Sequence, residues 1–206
     1  MQRIFRNVLV PLAIAGATML VTTARSAAQT RPPEMQSARL PDSPSLDVAV
    51  TYGATLSDLI TTSNFWMQGG SVQIHGQFYR GLGTVADITG AHTAEINSTG
   101  VGLDLVTATF GLRYTWSPSH TRYRLYGQGL VGEAFGMNGV FPNPAGATST
   151  ADSLAVKAGG GLDVRLRRRL AVRVFEADYL RTQLPNSTNN VQNNLTLYTG
   201  FVFRLR

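Results

Sequence analysis

His75, His92 and His120 are the only imidazoles in this 206-residue chain, and cysteine is absent. Thiolate nucleophiles, thiolate metal sites and disulfides are thereby excluded. A hydrolytic site needs a nucleophile beside a base that a third group orients. Ser71 and Asp87 are the residues placed to approach His75, but both types are ordinary in any polar interior. The three histidines fall in separate parts of the chain, so no pair with metal-ligand geometry is expected. Gly159-Gly160-Gly161 sits inside a strand pattern and lacks the Lys-Ser/Thr of a phosphate loop, which assigns it to barrel curvature or to close packing of a long side chain. These residues predict no catalytic, no cofactor-binding and no metal site, and hence no enzyme.

What remains is a charged set: Asp47, His75, Asp87, Arg113, Lys157, Asp163, Arg165, Arg173, Glu176, Asp178 and Arg204. Each falls on the polar side of a two-residue alternation, the period of a β-strand. The last run is the clearest. Leu195, Leu197, Thr199, Phe201, Phe203 and Leu205 share one face, and Thr196, Tyr198, Gly200, Val202, Arg204 and Arg206 share the other. Bulky apolar residues on one face and Gly, Thr and charges on the other describe a barrel with lipid outside and a polar lumen.

Eight such runs are predicted: Leu46–Leu56, Phe65–Phe78, Leu82–Thr89, Leu103–Thr115, Arg122–Phe135, Ser153–Leu166, one starting at Leu170, and one from Asn194 to the end. Three short turns near residues 80, 118 and 168 alternate with longer connections at Ser57–Asn64, Gly90–Gly100, Gly136–Asp152 and Thr182–Gln192. That asymmetry predicts an all-β, eight-stranded antiparallel up-and-down transmembrane barrel, with short periplasmic turns and longer outer loops. Asp104 falls on the apolar face, so the upper end of its strand lies outside the hydrocarbon or carries a bulge. The run at Arg122–Phe135 has no fixed phase, because Gly127 and Gly129 occupy its presumed outer face. In the seventh run, one phase puts Arg173 inside but Glu176 and Asp178 in lipid. A bulge near Val174-Phe175 restores both acids to the lumen. Trp66, Trp116, Tyr114, Tyr123 and Tyr179 fall near strand ends, where amphipathic rings suit the membrane interface.

The segments flanking the barrel are consistent with export. Arg3 and Arg6, the apolar stretch Val8–Val21 and the small residues Ser26-Ala27-Ala28 have the layout of a secretory signal, expected over residues 1–28. Its removal takes three arginines and no acids, lowering the formal charge from +6 to +3. Residues 29–45 carry four prolines and no alternation and are expected to be a flexible segment ahead of a barrel domain at 46–206. No basic stripe with interleaved aromatics suggests nucleic-acid binding.

The stretches FWMQGGSVQIHGQFYRGLGTVADITG (65–90), AGGGLDVRL (158–166) and EADYLRTQLPNSTNNVQN (176–193) resemble the small outer-membrane barrel proteins of the OmpA-like membrane-domain group, in an acidobacterial-looking form. The resemblance covers about residues 46–206. It implies secretion across the inner membrane and insertion by the barrel-assembly machinery; a monomer in contact with the lipid of a Gram-negative-type outer membrane is expected. The chain departs from the group's aromatic final residue, since Arg204-Leu205-Arg206 follows Phe203, and anchoring to the cell wall, which the larger members owe to a peptidoglycan-binding domain, is not expected of it.

An eight-stranded barrel is only wide enough for its side chains to fill. The expected function is therefore structural or surface-presenting. A narrow porin-like channel, a surface adhesion protein and a soluble lipid-binding barrel are the alternatives.

Overall fold

A computed structural model describes residues 45–205 apart from 60–63, 97–98, 119–120 and 187–188. The signal at 1–28, the segment 29–44 and His120 lie outside the described residues. Eight antiparallel strands close into one barrel in sequence order. They are β1 (Ser45–Ser57), β2 (Phe65–Tyr79), β3 (Leu82–Thr93), β4 (Leu103–Trp116), β5 (Tyr123–Asn143), β6 (Gly146–Arg165), β7 (Leu170–Thr182) and β8 (Gln192–Arg204). The seam pairs β1 with β8, from Asp47 opposite Arg204 to Leu56 opposite Leu195. Closure leaves no free sheet edge.

The pairing fixes the strand tilt. One circuit starting at Leu46 passes Gly76, Thr84, Leu112, Gly129, Ala158, Tyr179 and Leu195, and returns to β1 at Leu56, ten residues further along. With strand spacings of ~4.7 Å and a rise of ~3.3 Å per residue, that stagger requires a tilt of roughly 40°. The outward run of β1 from Leu46 to Leu56 then spans about 25 Å, the height of the apolar band of an outer-membrane barrel.

Parity decides what faces that band. Val50, Val72, Ile88, Phe110, Val131, Val156 and Phe201 are exposed on the outside, while Thr51, Ser71, Gln73, Asp87, Thr107, Thr109 and Gln128 are buried inside. This is the reverse of a soluble barrel around an apolar cavity. Trp116, Tyr114 and Tyr123 ring the outside at the end carrying the three short turns, and Trp66 and Tyr179 stand exposed towards the opposite, loop end.

Local chemistry accounts for the connections. Tyr79 pairs with Leu82, leaving Arg80 and Gly81 as a two-residue turn with φ of 37° and 90°, the primed geometry that suits a twisted hairpin. In β7 the bulge falls where the acids demand it: Arg173 faces Gly200 and Glu176 faces Tyr198, so Val174 and Phe175 together oppose Thr199. Both point outward, and Glu176 and Asp178 point in.

Two expectations require correction. Gly136–Asp152 is not a long loop. β5 and β6 stay paired out to Asn143 and Gly146, interrupted only by a register shift between Met137 and Phe141. The side chain of Asn143 accepts from Ala145 N at 2.9 Å and closes the tip. The turn formers in that stretch serve one tight reversal and one irregularity. β3 likewise runs to Thr93, so Gly90–Thr93 belongs to the strand and His92 stands on it rather than in a loop. Asp104 has no bulge beside it; it faces outward at the loop end, where His92 and the Asn138 side chain hydrogen-bond it.

Candidate functional site

The lumen contains the charged set almost as its parity predicts. β7 supplies Arg173 and Glu176, and the bulge between them lets both side chains turn inward and meet. Arg173 Nη1 donates to Glu176 Oε2 at 2.6 Å, and its Nε donates to Asp163 Oδ1 at 2.9 Å. Gln73 on β2 ties the next strands in: its carbonyl accepts from Arg173 Nη1 and from Arg113 Nη2, each at 2.6 Å, while its amide donates to Glu176 Oε1 at 2.6 Å. Arg113 also donates through Nε to Gln128 at 3.0 Å. Gln128 passes its own amide protons to Glu176 and to Asp178 Oδ1, both at 3.0 Å.

Two further groups extend this network along the axis. Towards the turn end, Asp47 accepts from Arg124 Nη1 at 2.8 Å and from Arg204 Nε at 3.2 Å, and Arg124 also reaches Asp163 at 3.3 Å. Towards the loop end, Lys157 pairs with Asp87 and donates to Thr89 at 2.9 Å. Arg173, Lys157 and Glu176 are among the most fully buried side chains in the protein. Burying such ions costs several kcal/mol each unless partners surround them, and here each of the three is paired.

Tyr126 completes the packing. The Arg113 and Arg173 guanidinium carbons stand 4.2 and 4.7 Å from its ring centroid, within cation-π reach. The glycine run makes space for this ring. A Cβ on Gly161 would come within 2.6 Å of the Tyr126 hydroxyl, and one on Gly159 within 2.1 Å of Asp178 Oδ1. Side-chain packing is thus the reading the structure supports for Gly159 and Gly161, whereas a Cβ on Gly160 would meet the Tyr126 carbonyl oxygen at 2.2 Å. The void left among Asp47, His75, Tyr126 and Arg173 is about 10 Å³, the size of one water.

Two placements differ from expectation. Arg165 has inward parity but lies exposed at the mouth, donating to the Thr121 carbonyl at 3.3 Å. Asp178 lies inside as its parity predicts, where Gln128 holds it. The lumen is also not polar throughout. At the loop end Phe65, Met67, Leu103, Leu105, Ala134, Phe141, Ala155, Leu180 and Leu184 pack into an apolar core.

Arg124, Tyr126 and Gln128 escaped the sequence reading because β5 had no assigned phase. Their shared parity, opposite to Gly127 and Gly129, was the available signal. Ser71 hydrogen-bonds Thr51 at 2.8 Å and Asp87 serves Lys157, so neither is engaged with His75, whose Nδ1 lies 4.0 Å from Asp47. No group of three potential metal ligands occurs among the described residues.

No family profile and no curated protein matches this chain. Solved structures do. Neisserial surface protein A superposes with a TM-score of 0.59 at 11% identity, covering 78% of this chain and 96% of that one. A major outer membrane protein from Thermus thermophilus gives 0.52 at 12% identity, covering 79% and 100%. The fold is that of the eight-stranded outer-membrane barrels. With an apolar outer band of bilayer height around a charged interior, the chain is an outer-membrane protein. The three short turns and both ends of the described barrel lie at one end of it and the other connections at the opposite end; in barrels of this kind the short turns face the periplasm.

Proposed function

We propose that this protein is a non-enzymatic, monomeric barrel that acts structurally or presents its outer loops, and that it conducts no ions. The observation that carries this reading is the filled lumen, in which the Arg173–Asp163–Glu176–Gln73–Arg113 network occupies the cross-section and an apolar core stands above it. An ion would have to displace fixed charge pairs and then cross a dry zone. A porin-like role is disfavoured on the same ground.

Membership of the OmpA-like membrane-domain group is part of this proposal, supported by the stretches at 65–90, 158–166 and 176–193. Insertion by the barrel-assembly machinery and contact with outer-membrane lipid follow from that placement, and nucleic acid is not a partner. The surface-presenting half of the reading draws on the β5–β6 hairpin, which carries a paired, ordered tip beyond the other strands.

Planar-bilayer recording of the folded protein is the test. Negligible conductance is expected at any voltage the bilayer tolerates. Reproducible single-channel steps from the unmodified protein would overturn the reading in favour of a narrow channel. Insertion itself is checked beforehand by the difference in gel mobility between unheated and boiled samples.

A further inference from the structure

The mouth at the turn end carries a concentration of positive charge that the lumen network uses only in part. Arg122, Arg124, Arg165, Arg167, Arg168 and Arg204 line a hollow of about 150 Å³ between the turn leading into β5 and the turn joining β6 to β7. No carboxylate among the described residues lines it. Arg124 and Arg204 are already committed to Asp47, and Arg124 also to Asp163. Arg122, Arg165, Arg167 and Arg168 have no carboxylate within 4 Å among the described residues. The opposite end of the molecule has the other sign, with Asp58, Glu95, Asp104, Glu133 and Asp152 set against Arg181.

Four guanidinium groups with no carboxylate partner among the described residues repel one another around one concavity, and an anion seated among them removes that cost. Guanidinium forks match tetrahedral oxyanions by paired hydrogen bonds, which a lysine cluster does not do. The Thr121 carbonyl anchors Arg165 at 3.3 Å, and the floor is closed by Ala171 and Val202, both buried. The hollow therefore has one tethered arginine in its wall and an apolar base.

We propose that this mouth is a binding site for a phosphate-type oxyanion, gripped by Arg122, Arg165, Arg167 and Arg168. Two sources present that chemistry here: the headgroup of an anionic phospholipid in the inner leaflet and a soluble periplasmic phosphate compound. The site is independent of whether the barrel conducts or presents its loops.

The folded protein in a phosphate-free, non-ionic detergent is titrated with pyrophosphate by calorimetry, and in parallel offered phosphatidylglycerol and scored for retained lipid by native mass spectrometry. At least one probe is expected to bind, and the double variant Arg167→Ala/Arg168→Ala is expected to weaken it at least tenfold while keeping its heat-dependent gel shift. Pyrophosphate binding identifies a soluble ligand; retention of phosphatidylglycerol alone identifies the headgroup. Arg181→Ala, at the far end, is expected to change neither. Replacing both arginines by lysine keeps the charge but loses the fork, and is expected to fall between the two. Failure of both probes to bind at millimolar concentration, or equal binding by the double alanine variant, overturns the proposal.

Discussion

Around Arg173 the guanidinium is held by directional hydrogen bonds to Asp163, Gln73 and Glu176, whereas around Met67 and Leu103 the same barrel is filled by side chains that need only the right volume. The strands are continuous between the two zones, so backbone geometry does not distinguish them. What differs is how each zone would fail. A directional network is broken by losing one partner, because the others are left buried and charged. An apolar core loses stability in proportion to the volume removed.

The largest expected effect is therefore Arg173→Met, which deprives Glu176 of its ion pair and Asp163 of one of two. A loss of about 3–5 kcal/mol is predicted from urea titration followed by gel shift, with no gain in conductance. A cost below 1 kcal/mol would show that the network is not the stabilising element it is taken to be. Leu103→Ala in the apolar zone is expected to cost about 2–4 kcal/mol by the same assay. The loss should not depend on salt, and a strong salt dependence would dissolve the contrast between zones.

Lys157 and Asp87 sit where the zones meet, and they sharpen the boundary. Lys157→Met alone should cost about 3 kcal/mol, but Lys157→Met with Asp87→Leu should recover most of it, since removing both ions removes the desolvation penalty. Equal cost in single and double variants would mean that Thr89 and Thr109, not the ion pair, anchor this level. Gly161→Ala, which presses on the Tyr126 ring, is expected to cost about 1–3 kcal/mol. Smallest of all, a short polar insertion between Pro144 and Ala145 should change stability by less than about 0.5 kcal/mol, because it lengthens only the hairpin tip.

Much of this was legible in the chain because a strand's period of two is unforgiving. Glu176 and Asp178 could be placed inside only by a bulge, and the bulge is at Val174-Phe175. Lumen parity was equally plain for Asp47, Asp87, Arg113 and Lys157. β5 was opaque for a physical reason: Gly127 and Gly129 carry no side chain to declare which face they occupy, which hid Arg124, Tyr126 and Gln128 as lumen residues. The hairpin was missed because Asn, Pro and Gly mark a turn without saying how far the strands run before it. The apolar outer zone was hidden because Met67, Leu103 and Leu105 look like lipid-facing residues unless the register around the whole barrel is known.

The β1–β8 seam also has a kinetic meaning. Asp47 and Arg204, which meet across it, are 157 residues apart. Every other strand joins a neighbour that immediately precedes it, so seven pairings form locally as hairpins, while the eighth must close a loop nearly as long as the barrel itself. Until it closes, one edge of β1 and one of β8 hold unpaired backbone groups that hydrocarbon cannot solvate. Closure of this seam is thus the step expected to be slow, and the charge pair at the mouth marks where the ring is fastened.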